Sequence, residues 1–257
     1  MNRFSFAKLG RTLLMLTAVI AFGLMGCGGD DNPFGGAVVK GAFTDNRDGK
    51  TYKTVPIGGK TWMAENLNIK TADSRCYGED GQVFVDYDED DNEVYSTLSS
   101  SEIKANCNKY GRLYTWDAAK TACPAGWHLP ARDEWDHLAE SVGGTKNYRY
   151  DGLKHDYLNV GKKLKSTSGW YDNSNGTDDF GFSALPGGVF RYSYSFFCLT
   201  SMIGVWWTAD EYEHTEGLEA HYRVMSCCGD GYYDGDDLIE YYNTKSDRMS
   251  VRCVKDE

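Results

Sequence analysis

The chain has 257 residues, enough for one large domain or two small ones. Hydrophobic residues make up 41% and charged residues 25%, which supports a packed core and excludes wholesale disorder. With 27 Lys and Arg against 38 Asp and Glu, the net charge of −11 argues against nucleic-acid binding, which rests on neutralising phosphates. Aromatics reach 14%, and 29 Gly stand beside only 5 Pro, a mixture that predicts many short strands and turns.

The first 26 residues read as an export address. Arg3, Lys8 and Arg11 form a basic region ahead of an uncharged run over residues 13–25. That run is too short for a spanning helix, which needs about 20 apolar residues, and matches the apolar segment of a signal peptide. It ends in Leu24-Met25-Gly26-Cys27, which resembles a bacterial lipobox. This predicts lipidation at Cys27 and anchoring of the mature chain to a membrane by its acyl chains. Removing residues 1–26 leaves 24 basic against 38 acidic residues, a net charge of −14, so the lipid and not electrostatics must hold it there. Residues 27–40 carry glycines, acids and one Pro and predict a flexible tether. Acids directly after the lipidated Cys also resemble surface-export signals of some Gram-negative lipoproteins, and read equally as a plain solvated linker; the expected location is the outer membrane or cell surface of such a bacterium.

Export predicts disulfides. Beyond Cys27 there are seven cysteines, Cys76, Cys107, Cys123, Cys198, Cys227, Cys228 and Cys253, so at least one stays unpaired within the chain. Cys227 and Cys228 are adjacent, and because a ring closed between neighbours is strained, each is expected to face elsewhere. No Cys-x-x-Cys or His-Glu-x-x-His occurs and the five His are scattered, so no metal centre is expected from them.

No polar or Pro-rich break interrupts residues 41–257, which predicts one domain. Alternation over 52–57, the Gly58-Gly59 pair and residues 60–64 predict a hairpin. Residues 82–87 and 93–97 flank an acidic tip and predict a second. Thr115 can cap a helix over 116–122 that ends before Pro124. Trp135, Leu138, Ala139 and Val142 form an apolar stripe that predicts a helix over 132–142, and a third short helix is read over 157–164. After Ser166 the pattern turns β-like. Phe190, Tyr192, Tyr194 and Phe196 alternate with polar residues on one predicted strand. Further strands are read over 205–208, 220–225, 238–243 and 249–254. Helices in the first half and strands in the second predict an α+β fold with two or three short helices, antiparallel sheet and long loops.

Specific motifs then carry a resemblance. Phe43-Thr44-Asp45-Asn46-Arg47-Asp48-Gly49, Trp62-Met63-Ala64-Glu65-Asn66-Leu67, Tyr110-Gly111-Arg112-Leu113-Tyr114-Thr115-Trp116 and Cys123-Pro124-Ala125-Gly126-Trp127-His128-Leu129-Pro130 follow in order. Gly181-Phe182-Ser183-Ala184-Leu185-Pro186, Trp206-Trp207-Thr208-Ala209 and Ser250-Val251-Arg252-Cys253-Val254 complete the set. Over nearly all of 41–257 the sequence resembles the Fibrobacter succinogenes major paralogous domain family, typically found on exported lipoproteins. The resemblance implies a C-type-lectin-like fold akin to that of the formylglycine-generating enzyme group. It also implies the pairing Cys123–Cys253, with Cys76–Cys107 closing an inserted acidic hairpin over 79–104. Cys198 with Cys227 or Cys228 is the residual pair. Ala131 stands where the family usually has Thr, a lost helix cap costing about 1 kcal/mol.

No nucleophile, base and orienting group assemble from the sequence, so no enzyme is expected. The related oxidases need two Cys a few residues apart, a spacing that Cys227, Cys228 and Cys253 do not reproduce. The remaining alternatives are an unusual oxidase-like enzyme and a purely structural envelope component. Calcium is the one candidate cofactor, at acidic turns containing Asp178 and Asp179 or Asp234 and Asp236, which read more readily as solvated turns than as calcium sites. Trp62, Trp116, Trp127, Trp135 and Trp206 are assigned to the core. Tyr232, Tyr233, Trp170 and Tyr171 are candidate stacking residues for a polysaccharide or a surface protein. The row Phe190, Tyr192, Tyr194, Phe196 is either a further platform or the buried face of a sheet. The expected function is a non-catalytic, lipid-anchored surface module that binds glycan or protein.

Overall fold

The first hairpin forms where the alternation predicts it. In the computed structural model, which describes residues 40–87, 92–148, 155–228 and 235–257, strand β1 (Gly41–Thr44) is followed by β2 (Thr51–Ile57) and β3 (Lys60–Met63). Tyr52, Val55 and Ile57 turn inward from β2. Gly58 and Gly59 both have positive φ, as the tight hairpin turn requires, and a Cβ on Gly58 would come within 2.6 Å of Ser141 Oγ.

Strand β4 (Ser74–Arg75) leads to the second hairpin, β5 (Gln82–Tyr87) and β6 (Glu93–Ser96). The stretch read as an acidic hairpin over 79–104 needs correction, because from Ser100 it is helix α1 (Ser100–Tyr110). Ser99 caps that helix and Glu102 reaches back to the Ser99 backbone at 2.8 Å, a reciprocal capping box. Strand β7 (Leu113–Tyr114) precedes helix α2 (Trp116–Ala122), which Thr115 caps as the sequence predicts. Strand β8 (Trp127–His128) leads into helix α3 (Arg132–Ser141), whose stripe of Trp135, Leu138 and Ala139 is buried. The cap missing at Ala131 is replaced from elsewhere. Asp210 accepts from Arg132 N at 2.7 Å and Glu134 from Ala131 N at 2.9 Å, so two orphan amides are satisfied without a Thr.

The predicted third helix is a strand and then a helix: β10 (His155–Leu158) pairs with β9 (Thr145–Tyr148), and α4 (Val160–Leu164) follows. The second half holds β11 (Val189–Arg191), β12 (Phe196–Cys198), β13 (Ile203–Glu211), β14 (Glu219–Ser226), β15 (Ile239–Thr244) and β16 (Val254–Lys255). The fold is α+β with mostly antiparallel sheets, in the orders β1-β2-β3-β16-β8, β11-β12-β5-β6 and β13-β14-β15, plus two-stranded pairs. The contact of β12 with β5 is parallel. Residues 38–257 form one compact unit. Among the described residues no helix is long and apolar enough to cross a membrane.

The core divides into two main clusters. One gathers Tyr114, Trp116, Val205, Trp207, Tyr222 and Met249; the other gathers Trp62, Trp135, Leu164, Phe182, Trp206 and Met225. All five tryptophans assigned to the core are buried. Cys123–Cys253 and Cys76–Cys107 are bridged as expected. The residual pairing is overturned. Cys227 bridges its neighbour Cys228, and Cys198 is a buried free thiol. Cys198 sits in the first cluster on β12 and Cys227 in the second beyond β14, so the two sulfurs belong to different parts of the core.

Candidate functional site

The alternating aromatic row is not one strand. After Arg191 the chain leaves the extended path, residues Tyr192–Tyr194 form a 3₁₀ turn, and Ser195 closes it in the left-handed region before β12 begins. The turn is pinned by Asp247, which accepts from Tyr192 N at 2.8 Å and from Arg191 Nη1 at 2.9 Å. Phe190 packs inward on Phe197 at 4.8 Å between ring centroids. Tyr192 and Tyr194 are pushed outward and are 59% and 72% exposed. From Tyr194 the rings continue as a ladder: Tyr194 to Phe196 at 5.7 Å, Phe196 to Tyr95 at 5.1 Å, and Tyr95 to Phe84 at 6.0 Å. Phe84 and Tyr95 face each other across the β5–β6 hairpin. Sequence reading does not single out these two, because they belong to a different hairpin. The available signal is an aromatic on each arm of the predicted hairpin, brought opposite one another by a bulge between Phe84 and Asp86.

The other candidate ligand residues separate. Trp170 is core: it is 4% exposed, and its Nε1 donates to Ser166 Oγ and the Ala184 carbonyl, each at 3.2 Å, so its ring is not a platform. Its neighbour Tyr171 is half exposed on a short 3₁₀ turn. Tyr232, Tyr233 and Asp234 lie outside the described residues. The Asp178 carboxylate is engaged within its own turn. Its two oxygens accept from Ser183 N at 2.7 Å and Ser183 Oγ at 2.5 Å, locking the turn before Ala184. Asp179 and Asp236 are exposed. Among the described residues no group of three or more His, Cys, Asp or Glu is disposed to hold a metal.

Two polar constellations stand beside these. His128 is hydrogen-bonded on both ring nitrogens, to Asp256 at 2.6 Å and to Glu134 at 3.0 Å, and Lys60 reaches Glu134 at 3.2 Å and Glu257 at 2.7 Å. Burial works against a charge on His128, but the bonds to Asp256 and Glu134 outweigh it and raise its pKa. An open cleft of about 560 Å³ borders this clamp, with Leu129, Ala131 and Ala209 on its wall. The second constellation is buried on β14 and β15. Arg223 pairs with Glu240 at 2.8 Å and with Asp136, Arg132 holds Glu240 at 2.6 Å, and His221 Nδ1 lies 3.6 Å from Glu240. Burial, then the two nearby guanidinium groups, push the His221 pKa down to about 4. The sequence signal for this cluster is His221 and Arg223 at alternate positions in the otherwise apolar run 220–225.

At the centre of the fold Arg252 is fully buried. Its Nε donates to Asn66 Oδ1 at 2.8 Å, its Nη1 to the carbonyls of Met63 at 3.2 Å and Phe182, and its Nη2 to Ser183 O at 2.9 Å. The guanidinium also lies 4.4 Å from the centroid of the Phe182 ring. Asn66 binds Trp206 Nε1 at 2.9 Å, Tyr110 O at 2.8 Å and Ser250 Oγ at 3.3 Å. The sequence profile of the Fibrobacter succinogenes major domain (Fib_succ_major) matches residues 55–255. The chain belongs to that family. No curated protein and no solved structure matches it. Arg252, Asn66, Met63, Phe182, Ser183 and Trp206 are the motif residues by which the chain resembles the Fibrobacter succinogenes major domain, and here they meet in one hydrogen-bonded hub. The motifs therefore account for how the chain closes on itself. The aromatic ladder, exposed at Tyr194 and half-buried at Phe196, Tyr95 and Phe84, lies outside them.

Proposed function

We propose that the protein is a non-catalytic, lipid-anchored envelope component of a Gram-negative bacterium that binds a glycan by stacking on the aromatic ladder of the β11-β12-β5-β6 sheet. The observation that carries this reading is the outward placement of Tyr192 and Tyr194 on a turn held by Asp247, continuous with Phe196, Tyr95 and Phe84. Sugar rings present flat C–H faces, and aromatic rings on a turn whose backbone is pinned by Asp247 match them with only the side chains left to order. A C-type-lectin-like arrangement is the finer reading of the fold. Pairing of β16 with β3 and β8, and the bridge Cys123–Cys253, support it by joining the chain's late strand to its early ones. The thiol chemistry of an oxidase finds little support here. Six of the described cysteines are bridged, and burial pushes the Cys198 thiol up to about 11, away from the thiolate that such chemistry needs.

The test uses the mature chain with Cys27→Ala, which should leave the membrane fraction, assayed against plant and bacterial polysaccharides. Saturable binding to one polysaccharide class is expected. Tyr194→Ala should weaken it about fivefold, roughly 1 kcal/mol, with folding intact. Retention in the membrane fraction removes the anchor, and unchanged binding in Tyr192→Ala/Tyr194→Ala removes the ladder.

A further inference from the structure

Adjacent cysteines meet a geometric limit before any folding is considered. Neighbouring Cα atoms are 3.8 Å apart, well inside the 4.4–6.8 Å separation at which disulfides are relaxed, so a bridge between them closes a strained ring. A bridge of that kind also does nothing for the global fold. Crosslinks stabilise mainly by restricting the unfolded chain, and this restriction grows with the length of loop closed. Cys76–Cys107 and Cys123–Cys253 span 31 and 130 positions, while Cys227–Cys228 spans 1.

The position of the ring gives it a local role instead. Cys227 follows β14 directly, its amide donates to Met202 O at 2.7 Å, and its side chain is buried in the second core cluster. Cys228 is only partly buried, packed on the outside of that cluster. Ser226 Oγ donates to Cys228 O at 2.9 Å. The ammonium of buried Lys165 donates to Ser226 O at 3.1 Å and to Gly235 O at 2.6 Å, tying the outgoing chain to the returning one. The two segments lie so close that a Cβ on Gly235 would come within 3.0 Å of Cys227 O. The ring thus stiffens one arm of a stem that already has independent ties.

We propose that Cys227–Cys228 is a reversible redox site, opened by a dithiol while the two long-range bridges and the fold persist. A thiolate of the dithiol attacks Sγ of the less buried Cys228. The Cys227–Cys228 bond breaks, and Cys227 departs with the electron pair and takes up a proton. The second thiol of the reductant then attacks the mixed disulfide, becomes the cyclic disulfide, and releases Cys228 as a thiol. Two electrons pass from the dithiol to the pair, and oxidation reverses each step. Strain in the small ring drives the opening, and the adjacency of the two thiols makes reclosure fast. Cys76–Cys107 is buried at both ends, whereas Cys123–Cys253 is half-buried at Cys123 but has a Cα separation of 5.9 Å, inside the relaxed range, so ring strain does not favour its opening.

The experiment equilibrates the full mature chain in buffers of graded reduced-to-oxidised dithiothreitol ratio, traps thiols by alkylation and maps the peptides. Cys227 and Cys228 should become labelled at a ratio at least tenfold lower than Cys76, Cys107, Cys123 and Cys253, equivalent to about 30 mV. At that ratio the amide of Cys227 should exchange hydrogen faster while the melting temperature stays put. Cys228→Ser, and separately Cys227→Ala/Cys228→Ala, should show the fast exchange at every ratio. Opening of all three bridges together overturns the proposal. So does recovery of Cys227 and Cys228 as thiols, or bridged to Cys198, in the oxidised chain. If Cys228→Ser fails to fold, the ring is structural and the proposal falls on that result too.

Discussion

The Arg252 hub and the aromatic ladder are opposite solutions to placing polar and aromatic groups. In the hub every polar atom of Arg252 that matters is turned inward and spent on a named acceptor: Asn66, Met63, Phe182 and Ser183. In the ladder, Tyr192 and Tyr194 are held out into solvent by a turn whose own backbone is satisfied by Asp247. A buried cation without its acceptors is costly, so the hub can hardly change without loss of the fold. Exposed tyrosines contribute little to stability, so the ladder is free to serve a ligand. The family resemblance rests on the first kind of region, and the ligand reading on the second.

The largest expected loss lies at the bridge beside the hub. Cys253 follows Arg252 and closes 130 positions to Cys123. Cys123→Ser/Cys253→Ser should cost about 5 kcal/mol of unfolding free energy, against about 4 kcal/mol for Cys76→Ser/Cys107→Ser and close to none for the adjacent pair. Chemical denaturation of the three variants gives the ranking, and equal losses would mean that loop length is not what these bridges act through.

Arg252 itself comes next. Arg252→Ala removes four hydrogen bonds, leaving Asn66 Oδ1 with Trp206 Nε1, and opens a cavity under Phe182, which should cost roughly 3–5 kcal/mol. Arg252→Lys should recover little, since an ammonium cannot span Asn66 on one side and the Phe182 and Ser183 carbonyls on the other. A loss below 1 kcal/mol in Arg252→Ala would remove the hub's structural role.

How far the sequence reaches follows the same divide. The residues of the hub are legible because they lie in short, ordered motifs, and the bulk and apolar neighbours of Trp62, Trp135 and Trp206 suffice to assign them to the core. Thr115 and the stripe from Trp135 are legible because capping and periodicity are local rules. What stays hidden is non-local or short-ranged in an unexpected way. The ladder joins two hairpins about a hundred residues apart in sequence, so no window contains it. The row 190–196 alternates throughout, yet Asp247 bends it into a 3₁₀ turn from outside the row. Helix α1 is obscured although Ser99 and Glu102 spell its cap, because the acidic hairpin before it dominates the composition. Cys227–Cys228 is hidden because ring strain argues against it and nothing local places Cys198 in the other core cluster.

The buried cluster around Glu240 should report on acid. His221 has its pKa lowered to about 4 by burial and by Arg132 and Arg223. A base whose folded pKa is depressed contributes stability above its unfolded value near 6.5, and this is lost as pH falls from there toward 4. The loss should be on the order of 2–3 kcal/mol across that window. Urea midpoints at pH 7, 5 and 4 should show it, and His221→Leu should flatten the profile there, apart from the part due to carboxylates. His128 has the opposite sign. Its raised folded pKa adds stability that is present at low pH and fades as pH rises through that value, so His128→Gln should matter more at pH 5 than at pH 9. A His221→Leu variant that loses stability in parallel with the wild type from pH 7 to 4 would contradict the assignment of a buried neutral imidazole.

The smallest expected effect is the sharpest statement of the difference between the regions. Tyr192 touches the fold through its backbone amide, which any residue but Pro can supply to Asp247. Its ring is 59% exposed, so Tyr192→Ala should move stability by less than about 0.5 kcal/mol. Tyr194 packs at a tilt against Phe196 at 5.7 Å, so Tyr194→Ala should cost slightly more, up to about 1 kcal/mol. Both values are a small fraction of what Arg252→Ala removes. Thermal melts of the two single variants, run beside the polysaccharide assay, separate the roles. A ring that serves a ligand lowers binding and leaves the melt alone, whereas a ring that packs lowers both. If Tyr192→Ala costs 2 kcal/mol or more, the turn is part of the core and the outward ladder is not a surface for anything.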